Sequence, residues 1–324
     1  MDRVVILMAT YQGEKYLEEQ LRSIIAQDYP NWHLFVRDDG STDGTLLLLS
    51  LYANHYPERI TVCCNEANMG GTKNFLTLLQ EAALQGAVPQ GEAAPQRDGE
   101  RTYFMFCDQD DSWHPDKLRL TLARMKQLEA RYGADVPALV FTDARVVDEG
   151  MEEFAPSFFG LAHYDMKKRT LPHLLMENMV IGCTSMMNGA LAALVEKVPE
   201  NARYHDWWMA LLAAAFGHTS YLPAATMDYR QHGNNVVGAK RFGSYVKQRM
   251  GKLSEQKATL RANYRQAEEF YGLYKEKLPE RVAAQLDTFL SLPKENLFRR
   301  RVDALRGGYL KSGIARNIGL FLVL

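Results

Sequence analysis

After its leading arginine, the stretch Arg-Val-Val-Ile-Leu-Met-Ala at residues 3–9 has no polar interruption. An unbroken β-favouring run of this kind reads as a strand covered on both faces, which requires a layer of structure above it and another below. The following segments supply those layers. Tyr16, Leu17, Leu21, Ile24 and Ile25 recur at helical spacing within residues 13–27. His33–Arg37 reads as a second strand, and the helix carrying Leu46 to Leu51 has Ser41 or Thr42 as its candidate cap. Ile60–Cys64, a helix from Thr72 to Leu84, Tyr103–Cys107, a helix over Asp116–Tyr132 and a strand over Ala138–Thr142 continue the alternation. The expected fold class is α/β, a mostly parallel sheet with flanking helices.

Beyond residue 240 the pattern turns helical. Leu260, Tyr264, Ala267, Tyr271, Tyr274 and Leu278 recur at spacings of three and four, one face of a helix. Charge divides at the same place. Residues 239–324 hold 18 Lys+Arg against 8 Asp+Glu, a net of +10, and residues 1–238 hold 20 against 31, a net of −11. We therefore expect one α/β domain over 1–240 and a basic helical C-terminal extension over 241–324. An acidic body suits a cation, and a basic tail suits phosphates or an anionic membrane surface. Residues 85–101 are rich in Gly, Pro, Gln and charge and read as a mobile surface loop.

Four cysteines without metal-ligand spacing, three of them in apolar runs that read as buried strands, point to a reducing compartment without disulfides. No apolar run approaches the roughly 20 residues of a spanning helix, and the start of the chain lacks a signal-peptide pattern. The expectation is a cytoplasmic protein, peripheral at the inner face of the plasma membrane if the tail binds lipid.

In an open α/β sheet, ligands bind beyond the carboxyl ends of the strands. Three strand ends here carry carboxylates: Asp38-Asp39, Asp108-x-Asp110-Asp111 and Asp143. One such end is an ordinary turn or cap. Three on one edge repel one another unless a cation lies among them, and carboxylate oxygens select Mg²⁺ or Mn²⁺, which bring substrate phosphates. Neither a phosphate-binding G-x-x-x-x-G-K-[ST] loop nor a G-x-G-x-x-G fingerprint is present, so those nucleotide enzymes are set aside.

Four elements in order now carry a resemblance: Thr10-Tyr11-Gln12-Gly13-Glu14, Asp38 to Asp43, Asn68-Met69-Gly70, and Cys107 to Trp113. Together they resemble family 2 glycosyltransferases of the GT-A fold, in the branch of bacterial rhamnosyltransferase-like enzymes of surface polysaccharide assembly. The similarity covers roughly residues 3–240. It implies inverting transfer from a nucleoside-diphosphate sugar with a divalent metal on the diphosphate. Thr10, Tyr11 and Glu14 would line the nucleotide pocket, and Asp39, or Asp38 in its place, would accept a hydrogen bond from the base. Asp108 and Asp110 match the Asp-x-Asp motif at ribose and metal, and His232 matches a late metal ligand. Gly182 and Cys183 resemble a loop near the donor, and Asp206 would be the general base. His205 stands where relatives often carry Glu.

The implied donor is dTDP-L-rhamnose, with UDP-hexoses as the main alternative. The acceptor is a saccharide or a lipid-linked saccharide. Nucleic acid is not an expected partner, and a homo-oligomer stays open. Two rival functions remain: a nucleotidyltransferase that forms the sugar nucleotide, and a non-catalytic scaffold of a polysaccharide assembly complex.

Overall fold

A computed structural model describes residues 1–84, 100–233 and 253–324. The expected surface loop at 85–101 therefore lies almost wholly outside the described residues, as does the boundary expected at 240. Nine strands form one sheet in the order β3-β2-β1-β4-β8-β6-β9-β5, with β7 paired to β6. These strands are β1 (Arg3–Thr10), β2 (Trp32–Asp38), β3 (Ile60–Cys64), β4 (Thr102–Cys107), β5 (Ser112–Trp113), β6 (Ala138–Val147), β7 (Glu153–Ala155), β8 (Ser185–Asn188) and β9 (His218–Arg230).

The four strands β3, β2, β1 and β4 run parallel. Both β8 and β5 are antiparallel to their neighbours, so the sheet is mixed beyond β4. β1 is central, and Val4 through Met8 are fully buried, as a strand covered on both faces must be. The covering helices are α1 (Leu17–Ile25), α2 (Thr45–His55), α3 (Gly71–Leu84) and α4 (Lys117–Tyr132). In α1 the buried residues Leu17, Leu21 and Ile24 form the stripe that the spacing predicts. The short helices α5 (Phe158–Ala162), α6 (Leu171–Leu174) and α7 (Gly189–Ala192) and the almost wholly buried α8 (His205–Phe216) follow.

Several local expectations are corrected. α2 starts at Thr45 without a side-chain cap, because the Ser41 hydroxyl is spent on Asp38 at 2.7 Å. Cys64 is exposed rather than buried. β6 runs on to Val147, so Asp143 lies inside the strand at a register shift. Its carboxylate accepts from the Ser157 and Tyr221 hydroxyls and from the Phe158 amide, which places it at the start of α5, away from the acidic edge.

The C-terminal helices are α9 (Leu253–Tyr274), α10 (Glu280–Ser291), α11 (Leu297–Gly307) and α12 (Ile314–Val323). The stripe on α9 packs on α8. Phe270 and Tyr274 are buried, with ring centroids 5.4 and 6.3 Å from Trp208 of α8. Tyr274 also donates to the Leu194 carbonyl at 2.8 Å. These aromatic residues are therefore unavailable to a membrane. No described helix is long and apolar enough to cross one.

Candidate active site

The loops leaving β1, β2 and β4 border a cavity of about 980 Å³. Parallel register brings their carboxyl ends level, with Thr10 opposite Asp38 and Met8 opposite Cys107. Among the described residues, the cavity wall includes Thr10, Tyr11, Asp39, Asn68, Asp108, Asp110, Gly182, Asp206 and His232. Asp38, Glu14 and Cys183 are absent from that wall.

The two adjacent aspartates at the end of β2 diverge. Asp38 is fully buried and saturated, since it accepts from the Thr10 and Ser41 hydroxyls and from the Gly40 and Ser41 amides at 2.7–3.1 Å. Asp39 accepts from the Met69 amide (2.8 Å), the Gly70 amide (2.9 Å) and the Asn65 side chain (2.8 Å). Three donors leave one of its lone-pair sites for a ligand. Gly70 has φ +84°, a conformation an L side chain rarely adopts, so glycine there lets the turn present its amide to Asp39. Glu14 turns the other way and accepts from the Gly44 amide at 2.9 Å, ahead of α2. Tyr11 keeps 48% of its surface exposed at the cavity rim.

At the end of β4, the middle residue of Asp-x-Asp has a role that the motif conceals. Gln109 donates to the Tyr11 carbonyl (2.9 Å) and accepts from the Tyr11 amide (2.8 Å), and so clamps the first loop to the acidic one. β5 pairs with the end of β9, Ser112 opposite Asp228, which brings Arg230 and His232 beside the acidic loop. The buried Arg230 donates to the Asp110 carbonyl (2.9 Å) and the Glu149 carbonyl (3.0 Å) and pairs with Glu19, and its amide donates to Asp111 (3.0 Å). His232 Nε2 lies 2.7 Å from Asp110 Oδ2, and its ring stacks on Tyr16 at 4.8 Å.

Burial and the neighbouring Asp110 charge hold Asp108 well above the usual carboxylate range. Burial, then Asp110 and Asp108, do the same to Asp111. The Asp111 Oδ2 atom is buried with no hydrogen-bond partner. Such crowding fits a divalent cation. Oxygen and thiol atoms of Asp108, Asp111 and Cys183 lie within 4.8 Å of one another, a second grouping that could hold a metal. Asp111 and Cys183 are fully buried behind the cavity, and burial pushes the Cys183 thiol well up, so that it stays protonated. Hard cations with open coordination positions favour the oxygen and imidazole groups that line the cavity: Asp108, Asp110 and His232.

Across the cavity, Asp206 sits in the first turn of α8. Its Oδ1 accepts from the Trp207 amide (2.6 Å) and Asn178 Nδ2 (3.0 Å), and its Oδ2 from the Gly182 amide (3.0 Å). Burial outweighs these donors and raises its pKa to about 7. Gly182 is required at this point, since a methyl group there would lie 2.4 Å from His205 Nε2. His205 stacks on Phe75 (4.0 Å) against the edge of Phe106 (4.6 Å), and burial lowers its pKa to about 3, so the ring is neutral. Gln109, Arg230 and Asn178 are organising residues that the sequence did not single out. The only signal lay in their placement, inside Asp-x-Asp, beside His232, and just ahead of the Gly182 loop.

Comparison with known proteins identifies the family. The family model described as glycosyl transferase family 2 matches residues 5–168. The dTDP-rhamnosyl transferase RfbG of Shigella flexneri is 29% identical over 241 residues, 72% of this chain and 74% of that one. The putative teichuronic acid biosynthesis glycosyltransferase TuaG of Bacillus subtilis is 27% identical over 240 residues, 73% of this chain and 82% of that one. Among solved structures, residues 1–349 of S. aureus TarS with UDP-GlcNAc superpose with a TM-score of 0.51 at 17% identity, covering 95% of this chain and 89% of that one. The Pyrobaculum calidifontis mannosyltransferase PcManGT with GDP-Man and Mn²⁺ gives 0.50 at 15% identity, covering 95% and 84%. With an α/β fold of the GT-A kind and a family model spanning half its length, the chain belongs to glycosyltransferase family 2.

Proposed function

We propose that this enzyme transfers a sugar with inversion from a nucleoside diphosphate to a hydroxyl of a saccharide or lipid-linked saccharide in bacterial surface polysaccharide synthesis. L-Rhamnose from dTDP-L-rhamnose is the donor that the likeness to RfbG favours, and UDP-hexoses are the alternative. One observation carries the reading. The same cavity holds the Asp108, Asp110 and His232 donor set and an Asp206 carboxylate poised near neutrality.

The chemistry follows from that pairing. An acceptor hydroxyl gives its proton to Asp206, its oxygen attacks the anomeric carbon, and the bond from that carbon to the diphosphate breaks on the opposite face. The backbone amides of Gly182 and Trp207 and the side chain of Asn178 fix the carboxylate and leave one lone-pair site, on Oδ2, for the acceptor. A general base so placed contributes about 10²–10⁴-fold. Mg²⁺ or Mn²⁺ on Asp108, Asp110 and His232 would offset the charge developing on the departing diphosphate. Asp39 is the candidate acceptor for the N3–H that thymine and uracil share. The fold and family favour this reading over a sugar-nucleotide-forming enzyme or an inert scaffold.

Two measurements test it. Calorimetry of dTDP and UDP should show binding that needs Mg²⁺ or Mn²⁺ and weakens sharply in Asp110→Ala. Equal affinity in EDTA would remove the metal assignment. Thermal-shift screening of nucleotide sugars with and without Mn²⁺ should rank pyrimidine above purine nucleotides, and the reverse order would overturn the role of Asp39.

A further inference from the structure

Each of the last two helices carries apolar side chains that nothing in the described chain covers. On α12, Ile314, Ile318 and Leu322 recur every fourth residue along one side and are 81%, 59% and 61% exposed. On α11, Leu297, Phe298 and Leu305 share a side with Arg301, and Phe298 is 80% exposed. Arg300 of α11 donates to the Leu324 carbonyl at 2.7 Å, which fastens the two helices together.

Charge on this part of the chain is one-sided. Residues 253–291 balance six Lys+Arg with six Asp+Glu, whereas residues 292–324 hold seven against two, a net of +5. Those two carboxylates, Glu295 and Asp303, both pair with Arg299, at 3.4 and 3.6 Å. No carboxylate of the segment remains for Arg301 and Arg306, both exposed. The preceding residues 234–252 add five cations and no carboxylate.

The inner side of α12 is part of the cavity wall. Lys311 and Arg316 line the cavity, and Arg316 donates to the Ala162 carbonyl (2.5 Å) and the His163 carbonyl (3.2 Å) at the end of α5. The Ser312 amide donates to Glu177 at 2.8 Å. The helix that closes one wall of the active site is therefore the helix that exposes the apolar stripe.

We propose that α11 and α12 seat the enzyme on an anionic phospholipid bilayer, with Ile314, Ile318, Leu322, Leu297, Phe298 and Leu305 in its apolar boundary and Arg301 and Arg306 at the headgroups. Basic helices with one apolar side bind in this way. A two-fold contact between copies of the chain would instead set Arg301 and Arg306 of one copy against those of the other. Seating on lipid brings the cavity to the membrane plane, where an acceptor on a lipid anchor is presented. The docking itself is independent of the identity of donor and base.

Co-sedimentation of the full chain with vesicles tests the proposal, comparing phosphatidylglycerol–phosphatidylcholine mixtures with pure phosphatidylcholine. The anionic vesicles should retain the chain, and neutral ones should retain it at least tenfold less. The combined change Ile314→Ser, Ile318→Ser and Leu322→Ser should lower partitioning at least tenfold. Arg301→Gln with Arg306→Gln should lower it roughly ten- to thirtyfold, since each cation near an anionic leaflet multiplies binding about fivefold. Both variants should keep the parental melting temperature and rate of donor hydrolysis, so loss of fold or site is read separately. Retention that is absent, equal on both vesicle types or unchanged in both variants overturns the proposal. So does a dimer in light scattering that the triple serine variant dissociates.

Discussion

Replacing Asp206 with Asn changes one proton-accepting group and almost no volume. In the parent, Oδ1 accepts from Trp207 and Asn178, and Oδ2 accepts from Gly182. The new amide keeps its carbonyl toward the two donors and sets its NH₂ against the single Gly182 N–H. That mismatch costs about 1–3 kcal/mol. The variant also loses a carboxylate that burial makes costly to ionise, which offsets part of the loss. The sign is definite: the folded pKa of about 7 lies above the unfolded value of 3.8, so ionising Asp206 removes stability as pH rises from 4 to 7. Asp206→Asn should therefore compare better with its parent at pH 8 than at pH 5. Catalysis moves the opposite way. In the parent, kcat/KM should climb about tenfold per pH unit below 7 and level off above 8, because only the ionised carboxylate accepts the proton. The variant should retain nucleotide binding by calorimetry and lose about 10²–10⁴-fold in turnover, measured as nucleoside diphosphate release. Turnover within tenfold of the parent, or the same acid limb in the variant, would refute the assignment of Asp206 as base.

Gly182→Ala should cost about 1–3 kcal/mol in urea unfolding and cut turnover at least tenfold, because the new methyl meets His205 while Phe75 and Phe106 hold that ring. In a His205→Ala background Gly182→Ala should cost little further, and an undiminished cost there would show that another contact governs the glycine. Phe270→Ala should cost about 3–5 kcal/mol and leave a single unfolding transition, since the ring is fully buried against Trp208. A separate early transition for the C-terminal helices would contradict the packing of α9 on α8.

The fold was legible where local pattern and global layer agree. The unbroken run of β1 demanded cover on both faces, and the helical stripe of α1 supplied part of it. Local pattern failed where a distant partner decided the outcome. Ala138–Thr142 reads as a complete strand, but pairing with β9 carries β6 on to Val147 and encloses Asp143. The stripe on α9 was readable as amphipathic, but whether it faced lipid or protein depended on Trp208, more than 50 residues earlier in the chain. The apolar residues that do remain exposed, on α11 and α12, give a weaker sequence signal because arginines interrupt them.

The site divides along the same line. Neighbouring carboxylates such as Asp38 and Asp39 are equivalent in composition, and only the pleat separates them. Asp38, the last residue of β2, points at Thr10, and Asp39, one residue further on, turns out of the strand toward Met69 and Gly70. The supporting residues are harder still, because each acts across a long loop: Gln109 on Tyr11, Arg230 on Asp110 and Asp111, Asn178 on Asp206. Their partners lie 98, about 120 and 28 residues away, distances over which no periodicity carries information. The candidate acids at the strand ends were visible because like charges there are costly without a ligand, and Asp206, in the first turn of a helix, was visible only through the family resemblance. The residues that hold them were not, because Gln, Arg and Asn are unremarkable until the fold brings them to a backbone amide or carbonyl. It follows that variants at Gln109, Arg230 and Asn178 should disturb the placement of Asp108, Asp110 and Asp206 through the hydrogen bonds they remove. Their signature is therefore a fall in turnover with nucleotide affinity nearly kept, whereas a change at Asp39 should weaken the binding of dTDP and UDP relative to purine nucleotides.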